Sequence, residues 1–375
     1  MHSFQKLSLT AATLLLTGLI QAQTQAQTID TEHGPIQMNT IAEGLQHPWG
    51  MTFLPDGRML VTERTANLRY VSMDGSISEP IAGLPDILVD GQGGLLDVAL
   101  HPDFASNQWV YISYNEPTPE GSSTAVARAR LNGMQLEQLE VIFSAQPKMR
   151  SRHHFGSRLV FTDDGYLFVT LGDRGSRRHD AQTLDTHHGK VVRLYPDGTI
   201  PQTNPFVGRE GLDEIWSFGH RNIQGADLHP QTRELWTHEH GPQGGDELNL
   251  TEAAKNYGWP TITYGEEYGG GHIGPTEKEG MEQPVHQWTP SIAPSGMVFY
   301  TGELFSDWQG NALVGALRYQ LVARLVMDGN EVTHEERIDI GMRVRDVRQG
   351  PDGAVYLLTD EPNGKVLQLK PAKSE

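Results

Sequence analysis

Cysteine is absent from all 375 residues, so no disulfide can brace the fold and its stability must come from the core alone. Basic residues are scarce. Twenty-nine Lys and Arg face 47 Asp and Glu, a formal charge of −18, which argues against nucleic acid or anionic lipid as partner, since both need a basic face. Beyond the N-terminus no apolar run reaches membrane-spanning length, so no stable membrane insertion is expected. A sustained helical apolar period is missing too. The one local exception expected is a turn or two of helix over Leu250-Thr251-Glu252-Ala253-Ala254-Lys255. No Gly-x-Gly-x-x-Gly stands between a strand and a helix, which removes the usual nicotinamide site.

The N-terminus is a separate matter. Lys6 gives a weakly positive start, Leu9 to Ile20 is an apolar run, and small residues follow at Ala22 and Ala26. This has the shape of a secretory signal peptide over residues 1–26. Export to a periplasm or to the outside is expected, with residues 27–375 as one domain.

What the chain has in quantity is turns: 41 Gly and 22 Pro. Six times an apolar strand, a polar turn and a second apolar strand recur. Leu54-Pro55-Asp56-Gly57, His101-Pro102-Asp103, Thr162-Asp163-Asp164-Gly165, His229-Pro230-Gln231 and Gly350-Pro351-Asp352-Gly353 mark five of the turns. The remaining pair, Met297-Val298-Phe299 and Ala312-Leu313-Val314, is joined by a longer link. Asp-Gly between alternating hydrophobics is a strong hairpin signal, because such turns need residues that tolerate φ > 0. Recurrence every ~45–70 residues predicts an all-β, six-bladed β-propeller.

In that fold, residues at equal places in each repeat converge on one channel. Gln92, His154, Arg221 and Arg343 each precede their hairpin turn by a similar distance and should meet at one mouth. Several Arg with Gln, Asn and His in a glycine-lined hollow suit an anionic, planar ligand. Asp173, at the end of a second strand, is available to His154; a carboxylate on one ring nitrogen leaves the other as a base. The segment His238-Glu239-His240-Gly241-Pro242 offers a His-x-His pair. No third soft ligand stands near it, and carbonyl and carboxylate oxygens from the following loop suit Ca²⁺ better.

Motifs in nearly every repeat carry a resemblance: Gly91-Gln92-Gly93-Gly94-Leu95-Leu96, His101-Pro102-Asp103-Phe104, Gly219-His220-Arg221-Asn222-x-Gln224-Gly225, Glu239-x-Gly241-Pro242, Asp246-Glu247-Leu248-Asn249, Asn256-Tyr257-Gly258-Trp259-Pro260 and Arg343-x-Arg345-Asp346. From about residue 40 to 370 the chain resembles the soluble quinoprotein glucose dehydrogenases, and more closely their aldose sugar dehydrogenase branch. The resemblance implies pyrroloquinoline quinone (PQQ) and Ca²⁺ as cofactors, aldose sugars as substrates, an external electron acceptor, and a monomer or homodimer. It implies His154 as general base, Asp173 as its orienting carboxylate and Arg221 beside the reacting carbonyl. Asn222, Arg318, Arg343 and Arg345 would cradle the cofactor, with Gln92, His153 and Trp288 on the substrate side. Gly241 and Pro242 would ligate Ca²⁺ through their carbonyls, and Glu247 and Tyr257 would belong to a second Ca²⁺ site. The family's Asp before the base is His153 here, and a Lys of the cradle is Arg318. The sugar-site walls are not cleanly matched around His286-Gln287-Trp288-Thr289, so broad rather than strict sugar selectivity is implied. A Ca²⁺-dependent propeller lactonase and a non-catalytic binding propeller are the alternatives; the first would not need converging Arg, and retention of His154 with the Arg cluster argues against the second.

Overall fold

The computed structural model describes residues 26–372, so the signal-peptide segment lies, but for Ala26, outside the described residues. Six antiparallel sheets form six blades. Their innermost strands are Pro48–Phe53, Leu95–Leu100, Gly156–Phe161, Ile223–Leu228, Pro294–Phe299 and Val344–Gln349. Each neighbours the next, and Val344–Gln349 returns to Pro48–Phe53, closing a ring. All six expected hairpins are present as innermost and second strands.

The turn chemistry explains three of them directly. In blades 1, 3 and 6 the amides of Gly57, Gly165 and Gly353 close onto Leu54, Thr162 and Gly350 at 2.9, 3.1 and 3.0 Å. Each glycine has φ between 77° and 86°, a conformation that strains a residue with a Cβ. Blade 2 instead carries a four-residue helix, Phe104–Asn107, in its longer link. The helix expected at Leu250 to Lys255 is not formed. Leu250 ends a strand, and Ala254 turns the chain at φ 63°.

Blade 6 is closed from both ends of the chain. Ile36–Leu45 pairs antiparallel with Gly364–Pro371, and Gln27–Ile29 adds an edge strand. Every innermost strand is also bulged near its start, for example between Gly156 and Leu159 or Val344 and Asp346. A bulge re-aims the side chains around it, and the candidate site residues stand at or just before these bulges.

Down the axis, charges stitch the blades. Arg158, 1% exposed, reaches Asp97 at 3.3 Å and Asp346 at 3.0 Å, and Arg348 meets the same two carboxylates. Asp97 accepts the Leu159 amide and Asp346 the Met51 amide, each from the next blade. Buried charges persist only when paired in this way. Among the described residues no helix is long and apolar enough to cross a membrane.

Candidate active site

The loop before blade 3 carries His154 with φ 54°, a strained left-handed backbone that the surroundings hold in place. Its amide donates to Gln92 Oε1 at 2.8 Å. Its Nδ1 lies 2.6 Å from Asp173 Oδ1, so the proton sits on Nδ1 and the Nε2 lone pair is left free. Asp173 is fully buried and also accepts the Gly175 amide at 2.7 Å and the Trp259 indole N–H at 2.7 Å. Burial alone would raise the Asp173 carboxyl, but the His154 hydrogen bond and the Arg221 charge override it, and its pKa lies below the usual value. Burial lowers the His154 pKa; the Asp173 hydrogen bond opposes this and Arg221 reinforces it. A neutral imidazole oriented by an ionised carboxylate is the equipment of a general base.

Arg221 faces this pair from blade 4. One Nη donates to the carbonyls of His240 and Gly241, both at 2.9 Å. The other reaches the Tyr268 hydroxyl at 3.3 Å. Its guanidinium stands 5.3 Å from the centre of the Trp259 ring, and its amide donates to Glu239. Asn222 accepts the Gly156 amide through Oδ1 at 3.2 Å.

Blade 6 supplies Arg345, which donates to Asp360 at 2.6 Å and to Gln224 at 3.2 Å. Arg343 reaches the same Asp360 at 3.4 Å and holds the Leu317 carbonyl at 3.2 Å, beside the exposed Arg318. Asp360 is partly buried, yet the Arg345 charge holds its pKa far below the carboxylate range. Two guanidiniums therefore share one carboxylate. Among the described residues, the buried Nε atoms of Arg221 and Arg345 have no hydrogen-bond partner. A buried donor left unpaired is costly, so both point to an acceptor that the chain itself does not provide.

Trp49, Gln92, Asn222, Gln224, His240 and Arg345 line a 40 Å³ cavity at the floor of the mouth. It is too small for a tricyclic molecule. His240, with Nε2 on the Pro294 carbonyl at 2.7 Å, is neutral, its pKa pushed down to about 3 by burial.

Not every expected residue joins this mouth. His153 is exposed beside His154, ring centroids 6.1 Å apart. Trp288 does not reach it: at 2% exposure it packs with Trp236, Leu248 and Ile292 in the core between blades 4 and 5. Its indole is a core side chain, and the substrate role expected for it is withdrawn. Gly241 and Pro242 form a tight buried turn pinned by Asp246, which accepts the Gly241 amide at 2.9 Å. Glu247 is the cross-strand partner of Glu239, and burial with that neighbour raises its pKa well above the usual value. Tyr257 stacks on His220 at 4.6 Å, and its hydroxyl is engaged by the Leu250 carbonyl and the Glu252 amide, which leaves its backbone carbonyl as the plainer donor for a cation. The sequence assigns no role to Trp259, Glu239, Asp360 or Tyr268, although the first two stand in the motifs above, because each acts through a contact between distant segments.

Fold and site together define a six-bladed propeller with a His–Asp pair facing an arginine-rich mouth. Residues 45–368 match the model of the glucose/sorbosone dehydrogenase family, and the chain belongs to that family. It is 44% identical to the aldose sugar dehydrogenase YliI of Escherichia coli over 90% of this chain and 93% of that one. The apo crystal structure of the soluble aldose sugar dehydrogenase from Escherichia coli superposes with a TM-score of 0.87 at 42% identity, covering 90% of this chain and all of the other. The PQQ-bound aldose sugar dehydrogenase of Streptomyces coelicolor superposes with a TM-score of 0.75 at 28% identity, covering 89% and 98%. The protein is thus an oxidoreductase of the sugar dehydrogenase type, not the lactonase or binding module considered from sequence.

Proposed function

We propose that the protein oxidises aldose sugars at the anomeric carbon to lactones, with PQQ as its cofactor, in the periplasm or outside the cell. The observation that carries the reading is the pairing of the His154–Asp173 couple with two buried guanidiniums whose Nε atoms lack partners. When bound, PQQ supplies the hydride acceptor; the protein supplies binding, orientation and electrostatics. His154 Nε2 takes the proton from the anomeric hydroxyl, and Asp173 steadies the imidazolium that results. Arg221 sits within the same shell and stabilises negative charge developing at the acceptor side. Arg345, Arg343 and Arg318 match cofactor carboxylates, which guanidinium binds with two donors at once, and Asn222 adds an amide.

Calcium would be held by the carbonyls of Gly241 and Pro242, hard oxygen donors of the kind Ca²⁺ takes. Among the described residues no three His, Cys, Asp or Glu side chains cluster as a metal site, so backbone oxygens would have to dominate. A second ion would relieve the repulsion between Glu239 and Glu247, with Tyr257 contributing its carbonyl. The electrons leave to an external acceptor.

The test is dye reduction by purified protein stripped of cofactor and metal. Activity with aldoses is expected only when PQQ and Ca²⁺ are both restored. Turnover with NAD alone, or full turnover without quinone, would overturn the proposal. With few fixed contacts around His153, kcat/KM for glucose, galactose and xylose is expected within about tenfold.

A further inference from the structure

Among the described residues, Tyr268 is the most exposed large apolar or aromatic side chain, at 71%, with Val141 next at 48%. It is nevertheless held by its hydroxyl, 3.3 Å from Arg221 Nη2. The hydroxyl alone is anchored, and the ring stands free in the mouth.

The loop that carries it is braced at its base and closed on itself beyond Tyr268, where the Gly270 amide donates to the Glu267 carbonyl at 2.8 Å and the Glu267 amide to the Gly271 carbonyl at 3.0 Å. It rises between Asp246–Leu250 and His286–Trp288 of blade 4. Gly265 packs against Pro242 and Gly244 so closely that a Cβ there would come within 2.6 Å of both. The Gln243 amide donates to the Glu266 carbonyl at 3.2 Å, and Glu267 reaches across to Arg178 of blade 3 at 2.6 Å. Beyond Tyr268, Gly269, Gly270 and Gly271 have nothing within 4 Å of where a Cβ would stand. Tyr268 is thus presented at the exposed tip of a braced turn, bridged at its neck between Glu266 and His272.

We propose that the Tyr268 ring is the platform on which the apolar face of the aldose ring lies while its anomeric hydroxyl is offered to His154; this rests on the function proposed above. Tyrosine joins a large rigid apolar face to a polar handle, and here Arg221 occupies the handle. Arg221 in turn lies beside Trp259, which bonds Asp173, the partner of His154. The platform is therefore registered to the base through four contacts. A face of C–H groups is common to all pyranoses, so the contact adds affinity without choosing among epimers. It binds ground state and transition state alike, and its loss shows in KM and not in kcat.

The experiment uses the purified full chain with PQQ supplied, and compares Tyr268→Ala and Tyr268→Phe with wild type. Tyr268→Ala is expected to raise KM about five- to tenfold for glucose, galactose and xylose alike, with kcat within about twofold. Tyr268→Phe keeps the ring but loses its anchor on Arg221, and is expected to raise KM by no more than about threefold. Saturation-transfer NMR follows 1,5-anhydroglucitol, an aldose ring without an oxidisable anomeric hydroxyl; its signal is expected to vanish in Tyr268→Ala and persist in Tyr268→Phe. Wild-type KM and signal in Tyr268→Ala would overturn the proposal. So would a Tyr268→Phe variant as impaired as Tyr268→Ala, since the hydroxyl would then be the working group, or a loss of PQQ affinity in Tyr268→Ala that accounts for the change. A wild type that binds anhydroglucitol but oxidises no sugar would overturn the proposed function and leave the platform standing.

Discussion

His154 owes its usefulness to two opposed influences. Burial lowers its pKa, and the Asp173 hydrogen bond raises it again. A base works in its neutral form, so the acid limb of kcat should lie below the ordinary imidazole value near 6.5. Asp173→Asn removes the carboxylate that favours the imidazolium, so the limb should move to still lower pH. Turnover should fall roughly 10²-fold at the plateau, because the ring loses the group that sets its tautomer. A kcat–pH profile from pH 4 to 8 reads both effects, and a limb displaced to higher pH would contradict the assignment. Identity at this scale was partly legible. His154, Asp173 and Arg221 stand in motifs, and equal places in equal repeats must meet. Trp259 lay in a quoted motif, but its bond to Asp173 joins residues from two blades and has no local signature. Trp288 misled for the same reason: an aromatic near a mouth in sequence can face the core in space.

The hairpins were the most legible elements, because Asp-Gly turns and alternation are local chemistry. The loops between blades were not. Residues 150–155 form no regular element, yet they carry His154. Arg174 clamps them: its guanidinium donates to the carbonyls of His153 at 2.9 Å and Ser151 at 2.7 Å and stacks 3.6 Å over the Phe155 ring. Ser151 returns a bond to the Arg174 carbonyl at 2.7 Å. Burial lowers the Arg174 pKa to about 10, which still leaves it charged at neutral pH. Arg174→Met keeps much of the apolar bulk and abandons two carbonyls. At about 1.5–3 kcal/mol for a charge-assisted bond, the loop should open locally before the blade does. Hydrogen exchange at residues 153–155 should quicken and kcat should fall, while the melting temperature drops by about 5 °C. Unchanged exchange in that loop would show that the strained His154 backbone is held by something else.

At the scale of the whole molecule, the ring is closed by a pairing that no stretch of sequence announces. Ile36–Leu45 lies against Gly364–Pro371, and the two segments carry no shared motif; only a ring that must have no open edge calls for it. The same closure reaches the site. His47, just past the closing strand, lies 3.3 Å from Asp360, the carboxylate beneath Arg345 and Arg343. Ile36, Met38 and Leu45 are buried by the pairing, and at about 1.5–3 kcal/mol each they hold roughly 5–9 kcal/mol, as an upper bound. A domain has only about 5–15 kcal/mol of net stability. Removing the strand through Leu45 should therefore abolish cooperative unfolding and PQQ binding together, and leave the Gly364–Pro371 edge open to aggregation. Removing only the edge strand Gln27–Ile29, which contributes one buried side chain, should lower the melting temperature by a few degrees and leave the site intact. Calorimetry with a parallel PQQ titration separates the two truncations. Should the larger one melt cooperatively at the wild-type temperature, five blades and a three-stranded sixth would be sufficient, and the ring would not need its clasp.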